Sequence, residues 1–367
     1  MLHFFRKIRH DLIANSQFFK YLKYAIGEII LVVLGILIAL YINNWNENRK
    51  SEEKAKLLIT QVQKELLYNI ERTNYAIYNY VDKDSLFYRV IKQNVTYKDY
   101  EFSNPLSKLI TNFETEGNFR DNAYKQLVEN EKGFTPEQDS IVKQLKNLYE
   151  LDLFKVKTRN KVIKEMVSNF RQKLKDEKPW YSELETQSSA SHIEPVLSKE
   201  IISYFLNDPY YLNDVQEFIK FGYKDHLKSV LGFRIRAISI NDEISDYLNQ
   251  PPGPIIAYNI DDFSEFIGYY ENEKITLSKD EESVRVVIGR ENDRLWLTIY
   301  KNDSFFWKYP VHPYSKNSYI AGYEIKNEWE GVLNKFIHNE ETGKVELILI
   351  GDYGPTNQKR PKYIKID

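Results

Sequence analysis

The chain has 367 residues, 42% of them hydrophobic, which suffices for two or three packed domains and excludes a wholly disordered protein. Its 51 Lys and Arg nearly cancel 53 Asp and Glu, and an isoelectric point near 6.4 leaves no overall field to gather nucleic acid, so none is expected as a partner. The absence of cysteine excludes disulfides, thiolate metal sites and a cysteine nucleophile, and leaves the redox compartment open.

Residues 1–23 set Phe4, Phe5, Ile8, Leu12, Phe18, Phe19 and Leu22 at mostly helical intervals among Arg6, Lys7, Arg9, Lys20 and Lys23. Two readings stand: a basic amphipathic helix lying in a membrane surface, or a charged leader that only sets orientation. Residues 24–45 follow as the predicted transmembrane helix. From 29 to 46, eighteen residues carry no charge, and eleven of the first fourteen are Ile, Leu or Val. A helix over 24–45 is about 33 Å long, with Tyr24 and Trp45 at its two boundaries. The apolar run is longer than a signal-peptide core, and residues 41–45 offer no small-x-small cleavage site, so the anchor is expected to stay. Five Lys or Arg precede it and four follow closely (Arg49, Lys50, Lys54, Lys56), while acids are sparse before it and frequent after it. That balance predicts the N-terminus inside the cytoplasmic (inner) membrane and the bulk of the chain outside.

Within the span, Gly35 and Ala39 lie four apart, a spacing that lets a second helix approach closely. Glu28 is an ionisable group near the boundary, placed to snorkel to headgroups or pair with Lys23. From residue 46 a second helical pattern starts without a breaker and runs to about 93, its stripe formed by Val62, Leu66, Ile70, Ile77, Val81, Tyr88 and Ile91. Thr135-Pro136-Glu137 opens another long helix to about 176, and Asp208-Pro209 a third that ends at Gln250-Pro251-Pro252-Gly253-Pro254. Residues 46–250 thus read as an elongated helical bundle outside the membrane and 251–262 as a Pro-rich linker.

Beyond the linker the hydrophobic period changes from 3.6 to 2. Short runs at 264–270, 274–277, 283–288, 294–300, 318–325, 332–338, 344–350 and 362–366 predict about eight strands in 263–367, closing as an antiparallel β-barrel or a closely related sandwich. The fold class is therefore α+β multidomain. Trp296, Trp307, Tyr323 and Trp329, with His312 in the turn-like Pro310-Val311-His312-Pro313, are the candidate ligand or partner surface. The competing expectation is that a small barrel fills itself with such side chains.

Catalytic signatures are sparse. S-x-x-K occurs at Ser51–Lys54 and Ser140–Lys143, but without S-D-N or K-T-G. No two of the six histidines lie at i, i+3 or i+4, so neither a metal nor another cofactor is expected. His226 falls on the third helix's apolar stripe as a core histidine, and His192 and His312 fall in loops where function remains open.

The segments FFRKIR (4–9), YAIGEIILVVLGILIAL (24–40) and INNWNE (42–47) resemble a bacterial family of single-pass membrane proteins catalogued as a domain of unknown function. Asn122-Ala123-Tyr124-Lys125-Gln126-Leu127 is similar to that family's N-A-Y-x-x-L helix start. The resemblance implies a helical extracytoplasmic domain and brings no activity or site residues. FIGYYE (266–271) and GKVELILIG (343–351) resemble strands of the lipocalin-like domain appended to serine β-lactamase-type hydrolases, an appendage that carries no catalytic residue. The leading expectation is a non-enzymatic membrane-anchored sensor, scaffold or assembly protein. Its expected partners are the lipid bilayer, itself through the span or bundle, and another membrane or extracytoplasmic protein. Small-molecule or glycan binding by the β domain, and an enzyme with an unrecognised site, are the rivals.

Overall fold

The computed structural model describes residues 18–101, 104–115, 118–131, 133–186, 196–251, 260–272, 284–291, 294–325, 328–354 and 359–366. Most of the leader, the loop expected around His192, most of the expected Pro-rich linker and the strand expected at 274–277 lie outside the described residues.

Helix α1 (Phe18–Ile91) runs unbroken for 74 residues, about 110 Å at about 1.5 Å per residue. No proline interrupts it, and the amphipathic pattern takes over directly from the apolar one, as the sequence predicts. Its two halves live in different surroundings. None of the described side chains from 22 to 54 is buried, and Ile29, Leu31, Leu37 and Ile42 are all exposed. Among the described residues α1 is the one helix long and apolar enough to cross a membrane. From Ala55 onward Leu58, Val62, Leu66, Ile70, Ile77, Tyr80 and Phe87 turn into a shared core at the spacing of one helix face.

Around that half pack α2 (Tyr97–Glu101), α3 (Asn104–Ser107), α4 (Asn122–Glu129), α5 (Pro136–Asn147), α6 (Phe154–Glu177), α7 (Tyr181–Thr186), α8 (Lys199–Asn207), α9 (Pro209–Phe221) and α10 (Lys228–Leu248). A π-helical turn, Leu148–Leu153, joins α5 to α6, and another, Gly222–Leu227, joins α9 to α10. The long helices expected at 136–176 and 209–250 are thus each continuous, with one widened turn inside, the second ending at Leu248. Thr135 caps α5 in a reciprocal box with Gln138, with Pro136 following it, and Asp208 accepts from the Tyr210 and Tyr211 amides to start α9.

The Asn122–Leu127 motif has a structural explanation. Glu65 of α1, buried, accepts from the Ala123 amide at 2.9 Å, the Tyr124 amide at 3.2 Å and the Tyr149 hydroxyl at 3.0 Å. A carboxylate at a helix N-terminus satisfies amides that have no partner within the helix. Tyr124 stacks on Tyr149 with ring centroids 4.4 Å apart, and Leu127 is fully buried.

A 3-10 helix (Ile260–Phe266) leads into β1 (Gly268–Asn272), β2 (Val284–Glu291), β3 (Arg294–Lys301), β4 (Ser304–Ser315), β5 (Ser318–Ile325), β6 (Glu328–His338), β7 (Val345–Leu349) and β8 (Lys362–Lys365). They form a closed antiparallel barrel in chain order, and β8 returns to β1 with Tyr270 opposite Lys365. Closure agrees with the sequence, and seven of the eight expected runs fall on β1–β3 and β5–β8. The run at 274–277 lies outside the described residues, β4 answers to none of the eight, and two stretches take another form. Residues 264–266 are 3-10 rather than strand, because Phe263 and Phe266, three apart, fall on one side of that helix and plug the barrel end, Phe266 stacking on Phe336 at 4.2 Å. Residues 310–313, expected as a turn, belong to β4. Prolines disguise this strand, and barrel closure accommodates Pro313 at a bulge in the pairing with β5.

Tyr270, Val286, Ile288, Leu297, Tyr319 and Phe336 fill the barrel interior. Ile320, Leu333, Ile348 and Ile350 belong instead to the core shared with the helices, so the barrel lies against the bundle. Two glycines set the close approach: a Cβ on Gly322 would lie 2.5 Å from the tip of Ile235, and one on Gly331 2.5 Å from the Leu231 Cβ and 2.9 Å from its backbone. Gly331→Ala, which meets backbone, should cost about 1–3 kcal/mol. Gly322→Ala, which meets only a side-chain end, should cost less. Chemical denaturation of the two variants checks that order.

Candidate functional site

A dense polar arrangement lies where the barrel meets α1. Asp84 occupies the apolar stripe, seven residues after Ile77 and seven before Ile91, and is therefore carried into the core. Four bonds surround its carboxylate: the Gly351 amide at 2.8 Å, the Tyr353 hydroxyl at 3.1 Å, and two Arg360 nitrogens at 2.6 and 3.2 Å. Arg360 also donates to the Leu349 carbonyl at 2.5 Å, and its guanidinium lies over the rings of Tyr88 and Tyr353. Gly351 has φ of +80°, and a Cβ there would stand 2.6 Å from Tyr223. The β7–β8 connection thus folds over α1 with both oxygens of one buried carboxylate occupied. With a guanidinium, a hydroxyl and an amide donating to it, this carboxylate serves to hold the connection in place.

Beneath it, the π turn at 222–227 brings Tyr223 and His226 inward. Tyr223 donates to the Tyr80 carbonyl at 2.9 Å, and the Tyr80 hydroxyl meets His226 Nδ1 at 2.8 Å. Burial, then the neighbouring Asp84 charge, raises the Tyr353 hydroxyl well above its ordinary pKa and keeps it a donor. Burial lowers His226 to about 3, so it stays neutral in the core position the sequence assigns it.

The candidate surface residues part company. His312 faces the bundle, half-buried, and burial together with Arg234 and Arg294 lowers it to about 4. Trp296 lies on the outer wall under Lys308, 4.8 Å from its ring centroid, whereas Leu295 and Leu297 of the same strand point inward as alternation predicts. Trp307 is 49% exposed and stacks on Tyr309. Tyr323 and Trp329 sit in β5 and β6, and their side chains lie outside the described residues. Among the described members of the set, the structure does not bring Trp296, Trp307 and His312 into one pocket. Gly35 has open space around it and Ala39 is exposed one turn on; Glu28 is partly covered on α1.

The S-x-x-K pairs are structural or solvated. Ser51 donates to the Gly133 carbonyl at 3.4 Å and Lys54 to Asn130 at 2.7 Å, fastening the α4–α5 loop to α1, while Ser140 and Lys143 are exposed. Among the described residues no three His, Asp or Glu form a group that could hold a metal.

A cleft of about 200 Å³ opens on the same seam, between the π turn with the start of α10 and strands β6 and β7. Leu227, Leu231, Leu333 and Ile350 give it apolar walls, and Lys224, Lys228 and Asp352 also line it. Sequence reading missed this seam, although a carboxylate at heptad spacing between Ile77 and Ile91 was a legible signal.

Asp84→Ala leaves Arg360 buried without its carboxylate and should cost about 3–5 kcal/mol, whereas Asp84→Leu with Arg360→Met should recover more than half of that in denaturant titrations. For His312 and His226 the folded pKa lies below the unfolded value of about 6.5. Their contribution is therefore complete above about pH 6.5 and is lost as pH falls toward 4 and 3. His312→Gln should remove up to one proton from the slope of stability against pH between 6.5 and 4, a change that stability measured across that range will read.

Compared with protein-family models, with curated proteins and with solved structures, the chain gives no match.

Proposed function

We propose that the protein is a single-pass membrane scaffold or sensor without catalytic activity of its own. In this reading α1 crosses the cytoplasmic membrane at residues 24–45, the leader stays inside, and the bundle with its barrel stands outside. The observation that carries it is the continuity of α1: one helix leads from an uncovered apolar stretch into the core and on to the barrel clamp at Asp84. Asp84 lies 39 residues beyond Trp45, about 58 Å along the axis. A helix packed at one end and embedded in lipid at the other transmits axial shift or rotation between them. The uncovered span also offers Gly35 and Ala39 to a second helix, which makes self-association through the membrane part of the proposal.

The lack of native cysteine makes the topology directly testable. In spheroplasts a membrane-impermeant maleimide should label Ser85→Cys and leave Lys7→Cys untouched until the membrane is opened; the reverse pattern contradicts the orientation. Cross-linking in intact membranes should then trap a protein partner on residues beyond 46. Substrate turnover by the purified chain, abolished by replacing His192 or His312, would overturn the non-enzymatic reading.

A further inference from the structure

The seam cleft has a size, a lining and a charge balance that together describe a ligand. At about 30 Å³ per water, about 200 Å³ corresponds to roughly seven waters. It suits a chain or ring of roughly six to ten heavy atoms, smaller than the usual drug-sized pocket. Leu227, Leu231, Leu333 and Ile350 favour an apolar body there.

The charges around the cleft are unequal once their partners are assigned. Glu330 takes both Lys228 at 3.9 Å and Lys155 at 3.8 Å. Asp352 accepts the Gly354 amide at 3.2 Å and lies close enough to Lys92 to oppose the lowering of its pKa by burial. Lys224, exposed, has no ion pair among the described residues. An apolar trough with one uncommitted ammonium is complementary to a single negative charge.

We propose that this cleft binds a small amphiphilic monoanion, an apolar body ending in a carboxylate, with Lys224 as the charge partner. A cationic head would add to Lys224 and Lys228, and a neutral one would leave Lys224 unused. The bound molecule would bridge the π turn and the end of β7, the same two elements that Gly351 and Tyr223 bring together, so occupancy tightens the barrel on the bundle. This site is independent of membrane topology and of any partner protein.

The test uses the full chain in phosphatidylcholine nanodiscs and a hexanoic acid that carries a photoreactive diazirine on its chain. Mapping by mass spectrometry should place the adduct within residues 224–231, 331–333 or 349–352. Octanoate should compete and octanol should not, and Lys224→Glu should lower labelling about tenfold at unchanged melting temperature. Labelling confined to residues 24–45, equal competition by octanol, or wild-type labelling of Lys224→Glu would each overturn the proposal.

Discussion

One buried carboxylate joins the two halves of this protein. Asp84 sits on a helix that belongs to the bundle, and each of the four bonds described around it comes from the barrel's last connection. A lone carboxylate at that depth would be strongly unfavourable, and so would a lone guanidinium. Each is tolerable only with the other in place, so the docked arrangement is specified by what undocking would leave unpaired. Hydrophobic contact alone, here Ile320 and Leu333 against α10, gives adhesion with less orientation. The two charges fix the register.

That clamp gives the barrel a direction. Tyr314, near one end of β4, reaches the Asn74 carbonyl at 3.5 Å, while Gly351 and Arg360, at the other end of the barrel, meet Asp84. The barrel therefore lies alongside α1, with its Phe263 and Phe266 plug toward the apolar half of the helix and its β3–β4 hairpin away from it. Phe305, Phe306 and Trp307 are exposed near that far hairpin, where Lys301 lies 4.3 Å from the Phe306 ring centroid. The barrel is a side-mounted body and not a cap on a stalk.

Much of this was legible in the sequence because it is written in periods. The uninterrupted change from an all-apolar run to a stripe at threes and fours announces α1, and the change to a period of 2 announces the barrel. Three features escaped for identifiable reasons. β4 carries Pro310 and Pro313, which imitate a turn until closure provides neighbours on both sides. The 3-10 plug depends on two phenylalanines three apart, a spacing that a short strand prediction overlooks. The seam joins residues 84 and 360, so it has no local pattern beyond an acid on an apolar stripe. Aromatic content drew attention to Trp296 and Trp307, yet bulk alone does not say which face of a strand a ring occupies until register is known.

The central claim is that barrel and bundle form one body held at Asp84. Spin labels on Glu71→Cys of α1 and Thr342→Cys of the barrel, both exposed and free of competing native cysteine, allow the distance between them to be measured by pulsed electron resonance. One narrow distance distribution that broadens when Asp84 is replaced by Ala agrees with a clamped barrel. A broad or multi-peaked distribution in the otherwise unaltered protein, indifferent to that replacement, would contradict it.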